Sequence, residues 1–177
     1  MEYLDVVDEN NNLTGANAER DFIHSNGIWH REVAIWIMNE QDEMLLQKRA
    51  PTKRNKPNMW SVCAGHVVSG ESTENTAIRE LEEELSFKTT VDNLELMWIE
   101  KRAEILPKEV NRFFQYIYFV KTNLKIEDYK IQLEELSDLK YVTFENFEKL
   151  TEDPEVSFAK QKYFPRLLEE LKEKRRC

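Results

Sequence analysis

The stretch Gly65-His66-Val67-Val68-Ser69-Gly70-Glu71-Ser72-Thr73-Glu74-Asn75-Thr76-Ala77-Ile78-Arg79-Glu80-Leu81-Glu82-Glu83-Glu84-Leu85-Ser86-Phe87 decides how the chain is read. It reads as a loop followed by a helix. Gly65 and Gly70 give the loop its freedom to turn. Ser72 or Thr73 can cap the helix by accepting from its first free amides. Ala77, Ile78, Leu81 and Leu85 recur at helical spacing and make a face to bury. Glu80, Glu83 and Glu84 stand at i, i+3 and i+4 on another face. Like charges so placed cost helix stability unless something neutralises them. Hard divalent cations prefer carboxylate oxygen, so Mg²⁺ or Mn²⁺ would serve. Arg79 offsets part of the charge through Glu83 at i+4. A solvated acidic face is the competing reading, and it suffices for Glu82, which points away from the others. The glycine loop directly before the glutamates favours a site.

These residues resemble the Nudix box, G-x5-E-x7-R-E-U-x-E-E-x-G-U, where U is a bulky aliphatic residue. Gly65, Glu71, Arg79, Glu80, Leu81, Glu83 and Glu84 fill its positions within residues 65–87, and Phe87 roughly fills the last. The chain departs at the final glycine, where it has Ser86. A left-handed helix cap is easiest without a side chain, so the turn after the helix is the doubtful part. The run from His30 to Arg49, HREVAIWIMNEQDEMLLQKR, resembles the opening hairpin of the same family, in the branch related to isopentenyl diphosphate isomerase. The resemblance implies an α/β (α+β) fold, an α/β/α sandwich with a mixed central sheet and a catalytic loop-helix. It also implies a hydrolase that cleaves a diphosphate linkage, in a nucleoside diphosphate-X type or related phosphorylated small molecule. Mg²⁺ or Mn²⁺ would be held by Glu80, Glu83, Glu84 and the Gly65 carbonyl. One of the glutamates would act as base, Arg79 would orient the carboxylates, and Glu71 and Gly70 would support the loop and helix.

The alternative is an isopentenyl diphosphate delta-isomerase, which needs an acid and a base in place of an activated water. The resemblance would then use a cysteine before the box and a glutamate in a later strand. Cys63 lies near the first position, but Ala64 and Gly65 separate it from His66. Around the second position stand Arg112 and Phe113, and a phenylalanine cannot move a proton. Cys63 reads better as a small buried hydrophobe, and hydrolysis is the favoured reading.

At 177 residues the chain suits one domain over residues 1–177, with a hydrophobic content of 41%. A formal net charge of -9 argues against nucleic acid polymers and anionic membranes as partners. It leaves room for a phosphorylated small molecule if cations bridge the like charges. Cys63 and Cys177 make no disulfide or metal framework. The N-terminus reads as no secretory signal and no apolar run reaches membrane-spanning length, so a reducing cytoplasm is expected. A homodimer is the assembly that the resemblance implies.

Elsewhere the residues read less sharply. Lys48, Arg49, Lys53, Arg54 and Lys56 cluster around a loop that Pro51 and Pro57 keep out of helix and central strand. Arg49 and Arg54 are the candidate phosphate contacts, because guanidinium pairs bidentately with phosphate. His66 can bond a phosphate or the attacking water, or only a local partner. His24 and His30 show no metal-ligand spacing and are read as ordinary side chains. Trp29, Trp36, Trp60 and Trp98 are assigned to the core. Strands are expected at Tyr3–Val7, Glu32–Met38, Met44–Arg49, Met59–Ala64, Leu94–Glu100, Asn111–Val120 and within Glu134–Val142. Helices are expected at Ala18–Ser25, after Ser72, at Phe144–Leu150 and over Ser157–Lys174, the last bent or begun by Pro165.

Overall fold

The computed structural model describes residues 2–53, 56–106, 109–154, 156–159 and 161–174. Arg54 and Cys177 lie outside the described residues. The fold is mixed α+β, with a seven-stranded mixed sheet and a separate two-stranded one. The chain forms two compact units, one made of Met1–Trp36, Cys63–Glu83 and Phe87–Val120, the other of Ile37–Val62, Glu84–Ser86 and Lys121–Cys177.

In the first unit, β1 (Tyr3–Val7) pairs antiparallel with β2 (Leu13–Glu19), and α1 (Arg20–Asn26) follows directly. β2 gave no strand signal, because Leu-Thr-Gly-Ala-Asn-Ala-Glu lacks the alternation that marks one. Gly27 ends α1 at a left-handed φ of 60°. β3 (Trp29–Asn39) pairs antiparallel with β6 (Cys63–His66) in the register Glu32↔His66, Val33↔Gly65, Ala34↔Ala64. On its other side the neighbours run to β8 (Glu109–Thr122) and β7 (Glu95–Leu106), a long antiparallel hairpin. α2 (Thr73–Leu85) is the helix read from the box. Its Ala77 and Leu81 are fully buried, and so are Leu4, Ile23, Val33, Trp36, Phe113 and Ile117 of this unit.

The second unit is built on β4 (Met44–Arg49). Met44 lies opposite Met38 at the end of β3, and β4 also pairs with β5 (Trp60–Ser61) and β9 (Leu136–Val142). The strand expected over Met59–Ala64 is therefore two short ones, interrupted at Val62. α3 (Phe144–Glu152) is capped by Thr143, whose hydroxyl accepts from the Asn146 amide at 3.2 Å. α4 (Phe164–Lys174) is shorter than the expected helix. Pro165 sits in its first turn, where the missing N–H costs nothing, so it marks the start and makes no kink. Phe147 is fully buried against Phe158 and Phe164, with ring centroids 5.5 and 5.0 Å away and edge-to-face geometry.

Ser86, the departure from the box, does adopt the left-handed turn, with φ of 53°. Its hydroxyl donates to the Lys130 carbonyl at 3.1 Å, a bond glycine cannot make. A β-branched residue has no such offset and clashes with its own backbone at positive φ. Ser86→Val is thus expected to cost about 1–2 kcal/mol in urea denaturation, and Ser86→Gly to stay within about 1 kcal/mol of the parent.

Candidate active site

The loop that enters α2 is tied to the N-terminal strand. The Ser69 hydroxyl donates to Asp5 Oδ1 at 2.6 Å, and the Gly70 amide donates to Asp5 Oδ2 at 3.0 Å. The Ser69 amide donates to the Tyr3 carbonyl at 2.8 Å. Gly70 takes a φ of 81°, which a side chain would resist. Nothing in the sequence pointed to Asp5, which lies far away along the chain. At the helix start the Ser72 hydroxyl accepts from the Asn75 amide at 3.2 Å.

Arg79 is the centre of the arrangement. Its Nη1 donates to Glu80 Oε1 at 2.7 Å and to Glu83 Oε2 at 3.0 Å. Its Nη2 donates to Glu71 Oε2 and to the His66 carbonyl, both at 3.2 Å, and its Nε reaches Glu71 at 3.3 Å. Burial would lower the Arg79 pKa, but the bond to Glu71 and the charge of Glu80 raise it well above its ordinary value. Glu71 also accepts from the Thr76 hydroxyl at 2.7 Å. One guanidinium thus gathers Glu71, Glu80 and Glu83.

Gly65 stands against this group. A Cβ built on it would lie 2.0 Å from Glu80 Oε1 and 2.2 Å from its carboxyl carbon. The space a side chain would fill is occupied by the Glu80 carboxylate. Glu84 is buried, and in the second unit its Oε2 accepts from Gln47 Nε2 at 2.8 Å. Glu82 is exposed, with Lys88 3.5 Å away. The donor set of Glu80 and Glu83, hard oxygens on one helix beside a glycine backbone, has the chemistry Mg²⁺ or Mn²⁺ requires.

These positions are those of the box, and the wider chain agrees. A model of the NUDIX domain matches residues 28–167. The chain belongs to the Nudix family. An uncharacterised Nudix hydrolase of Clostridium acetobutylicum is 34% identical over 142 residues, covering 78% of this chain and 68% of the relative. An isopentenyl-diphosphate delta-isomerase of Photorhabdus laumondii is 31% identical over 143 residues, covering 80% and 77%. Among solved structures, a protein of Deinococcus radiodurans superposes with a TM-score of 0.69 at 20% identity, covering 96% of this chain and 99% of that one.

The Nudix box holds its expected residues together in the first unit: Gly65, Gly70, Glu71, Arg79, Glu80 and Glu83. Arg49 lies elsewhere, at the end of β4 in the second unit, where it is opposite Leu136. In that unit Lys53 pairs with Glu135, a loop glutamate that gave little signal. Cys63 is buried at 2% exposure and outside any disulfide, as the reading of a small hydrophobe expects. Phe113 is equally buried. Trp36 and Trp98 are core residues. Trp29 and Trp60 are only half-buried and carry cations on their faces, Lys101 at 4.8 Å and Lys140 at 3.9 Å from the ring centroids. No helix among the described residues is long and apolar enough to cross a membrane.

The structure places the His66 ring among local partners, which is one of the two readings of its side chain. Its ring packs with His24, His30 and Glu32, and His66 Nε2 lies 3.2 Å from His24 Nε2 and 3.4 Å from Glu32 Oε1. Burial pushes the His66 imidazolium pKa down to about 4, so the ring is neutral near pH 7. The sequence hid this group because its members come from α1, β3 and β6. The one local signal was the alternation His30-x-Glu32, which puts both side chains on one face of a strand.

Proposed function

We propose that the chain is a metal-dependent pyrophosphohydrolase, cleaving the diphosphate linkage of a nucleoside diphosphate-X type or related phosphorylated small molecule. The observation that carries this is the gathering of Glu71, Glu80 and Glu83 on Arg79 beside Gly65. Glu80, Glu83 and the Gly65 carbonyl are the proposed ligands of Mg²⁺ or Mn²⁺, and Glu84 carries the remaining carboxylate of the motif. Bound there, the cation would screen the phosphate oxygens and offset charge that builds in the transition state. The chain's own groups do the rest. Arg79 keeps the carboxylates aimed, Glu71 fixes Arg79, and one of the helix glutamates takes the proton of the attacking water. Asp5 and Gly70 hold the loop that presents Gly65. Arg49 and Arg54 are proposed as phosphate contacts, with His66 as a further one. A homodimer in the cytoplasm, with neither a nucleic acid polymer nor a membrane as partner, completes the reading.

The isomerase reading finds less support. Its thiol is buried and its later carboxylate is replaced by apolar Phe113. The deciding experiment is phosphate release with Mg²⁺, with Mn²⁺ and with chelator over a panel of phosphorylated metabolites that includes isopentenyl diphosphate. Phosphorus NMR identifies the bond cut. Cleavage that needs the cation is expected. Conversion of isopentenyl to dimethylallyl diphosphate without cleavage would overturn the proposal.

Gly65→Ala separates geometry from folding. The added methyl overlaps Glu80 from its Cγ to its carboxylate, so that side chain must shift against its bond to Arg79, and a loss of about 1–2 kcal/mol short of unfolding is expected. A carboxylate displaced by about an ångström is expected to lower turnover about tenfold to a hundredfold. Wild-type turnover with native melting would mean that Glu80 has no part in the reaction.

A further inference from the structure

β4 carries a glutamine at the end of an apolar run, Met44-Leu45-Leu46-Gln47, and buries it with the rest. Strand alternation puts Gln47 on the face of Leu45 and away from Met44 and Leu46. Gln47 is 3% exposed. Its Nε2 donates to Glu84 Oε2 at 2.8 Å, and Glu84 is itself 7% exposed. The backbone fixes Glu84 from another side. The Gln132 amide donates to the Glu84 carbonyl at 3.1 Å, and the Lys130 amide donates to the Leu85 carbonyl at 3.2 Å, so the end of α2 is anchored in the second unit.

A carboxylate only accepts, so the amide nitrogen of Gln47 faces Glu84 and the amide oxygen faces elsewhere. That oxygen, Gln47 Oε1, is buried and without a hydrogen-bond partner among the described residues. A second such oxygen is its neighbour. Ser61 on β5 lies opposite Gln47 in the antiparallel register. Side chains so paired share a face, with Cβ atoms about 4.5–5.5 Å apart. Ser61 Oγ is likewise buried and without a partner among the described residues. Folded proteins seldom leave buried oxygens unpaired, because their lost hydration is then not replaced.

The carboxylate beside them indicates what these oxygens meet. Mg²⁺ gives up water reluctantly and keeps several waters when one or two carboxylates hold it. Such a water turns its lone pairs to the ion and its hydrogens outward. Gln47 Oε1 only accepts and Ser61 Oγ is able to, so both match the outer side of a hydrated cation. The Gln47 amide also orients Glu84 without neutralising it. We propose that Gln47 is the positioning residue of Glu84 for the cation: its nitrogen aims the carboxylate, and its oxygen, with Ser61 Oγ, accepts from the cation's hydration shell. This rests on the reading of the helix glutamates as the cation's ligands. It accounts for a buried glutamine on β4 where an apolar side chain would otherwise pack.

The test uses the full chain, stripped with chelator and melted over a series of Mg²⁺ concentrations without substrate. Mg²⁺ is the probe because the imidazoles of His24, His30 and His66 disfavour it. An ion bound only by the folded chain raises the melting temperature in step with its affinity. Gln47→Met keeps the length of the side chain and drops both polar atoms. It is expected to need about tenfold to a hundredfold more Mg²⁺ than the parent for the same rise. Ser61→Ala, at a half-buried position, is expected to melt like the parent in chelator and to need about threefold to tenfold more Mg²⁺. A water held by the protein alone would give the reverse for Ser61→Ala, a lower melting temperature in chelator and an unchanged Mg²⁺ requirement, and would overturn the proposal. The proposal is equally overturned if Gln47→Met matches the parent in its Mg²⁺ requirement. Should Gln47→Met fail to fold, Ser61→Ala decides alone. A parent chain that gains nothing from Mg²⁺ overturns the cation reading as well, whereas a parent that gains and variants that match it overturn this proposal only.

Discussion

Glu83→Gln is expected to lower metal-dependent turnover about a hundredfold to a thousandfold while leaving the fold intact. The substitution removes one negative charge and keeps the shape. Glu83 is half-exposed on the helix surface, where it accepts from Arg79 across one turn at 3.0 Å. Such i,i+4 pairs contribute about 0.3–0.5 kcal/mol. The amide oxygen of glutamine can still accept from Arg79, so even that is partly kept. On the proposed reading, what is lost is a hard anionic ligand for the cation, and with it the screening of the diphosphate. Phosphate release at saturating Mg²⁺, read beside a thermal melt, separates the two effects. A variant that melts normally and turns over at the parent rate would sink the assignment of Glu83.

Arg79→Ala is expected to damage both stability and activity. Its guanidinium serves Glu71, Glu80, Glu83 and the His66 carbonyl. Without it, partly buried carboxylates face one another and lose the positive charge that gathers them. Removing one partner of a fully buried pair costs about 3–5 kcal/mol. The Arg79 side chain is 28% exposed, so solvent screens part of this, and about 2–3 kcal/mol is the expected loss. Mg²⁺ should restore part of that stability, because the proposed cation takes over the neutralisation. Denaturation with and without Mg²⁺ reads this directly. A variant as stable as the parent in chelator would show that Arg79 does not hold the carboxylates together.

The sequence was most legible where local spacing and tertiary placement obey the same rule. α2 and its charged face follow from helical periodicity, and Arg79, Glu80 and Glu83 are neighbours in space because they are neighbours on a helix. The strands rich in Val, Ile and aromatic residues, β3 and β8, were readable for the same reason. β2 was not, because its pairing with β1 supplies what its own composition lacks. Asp5 was hidden, since the N-terminal strand meets the glycine loop through tertiary pairing, at Leu4↔Val68 and at Ser69 with Tyr3. Ser86 looks like a defect when judged by backbone preference alone. The Lys130 carbonyl that supports it is 44 residues away. The histidine cluster escapes notice for a related reason. Its members stand on α1, β3 and β6, and β6 returns to β3 only after the whole of β4 and β5.

Because Arg79 already balances Glu71, Glu80 and Glu83, the loop-helix carries its own counter-ion. Its shape then does not depend on a cation being bound. A metal arriving at Glu80 and Glu83 would enter by exchange, loosening a guanidinium as it takes the carboxylates. Exchange weakens the net grip on the ion, since the carboxylates must give up one positive partner to take another. A lightly held ion can come and go with each molecule of phosphorylated substrate, and the chain's occupancy would then follow the free Mg²⁺ around it.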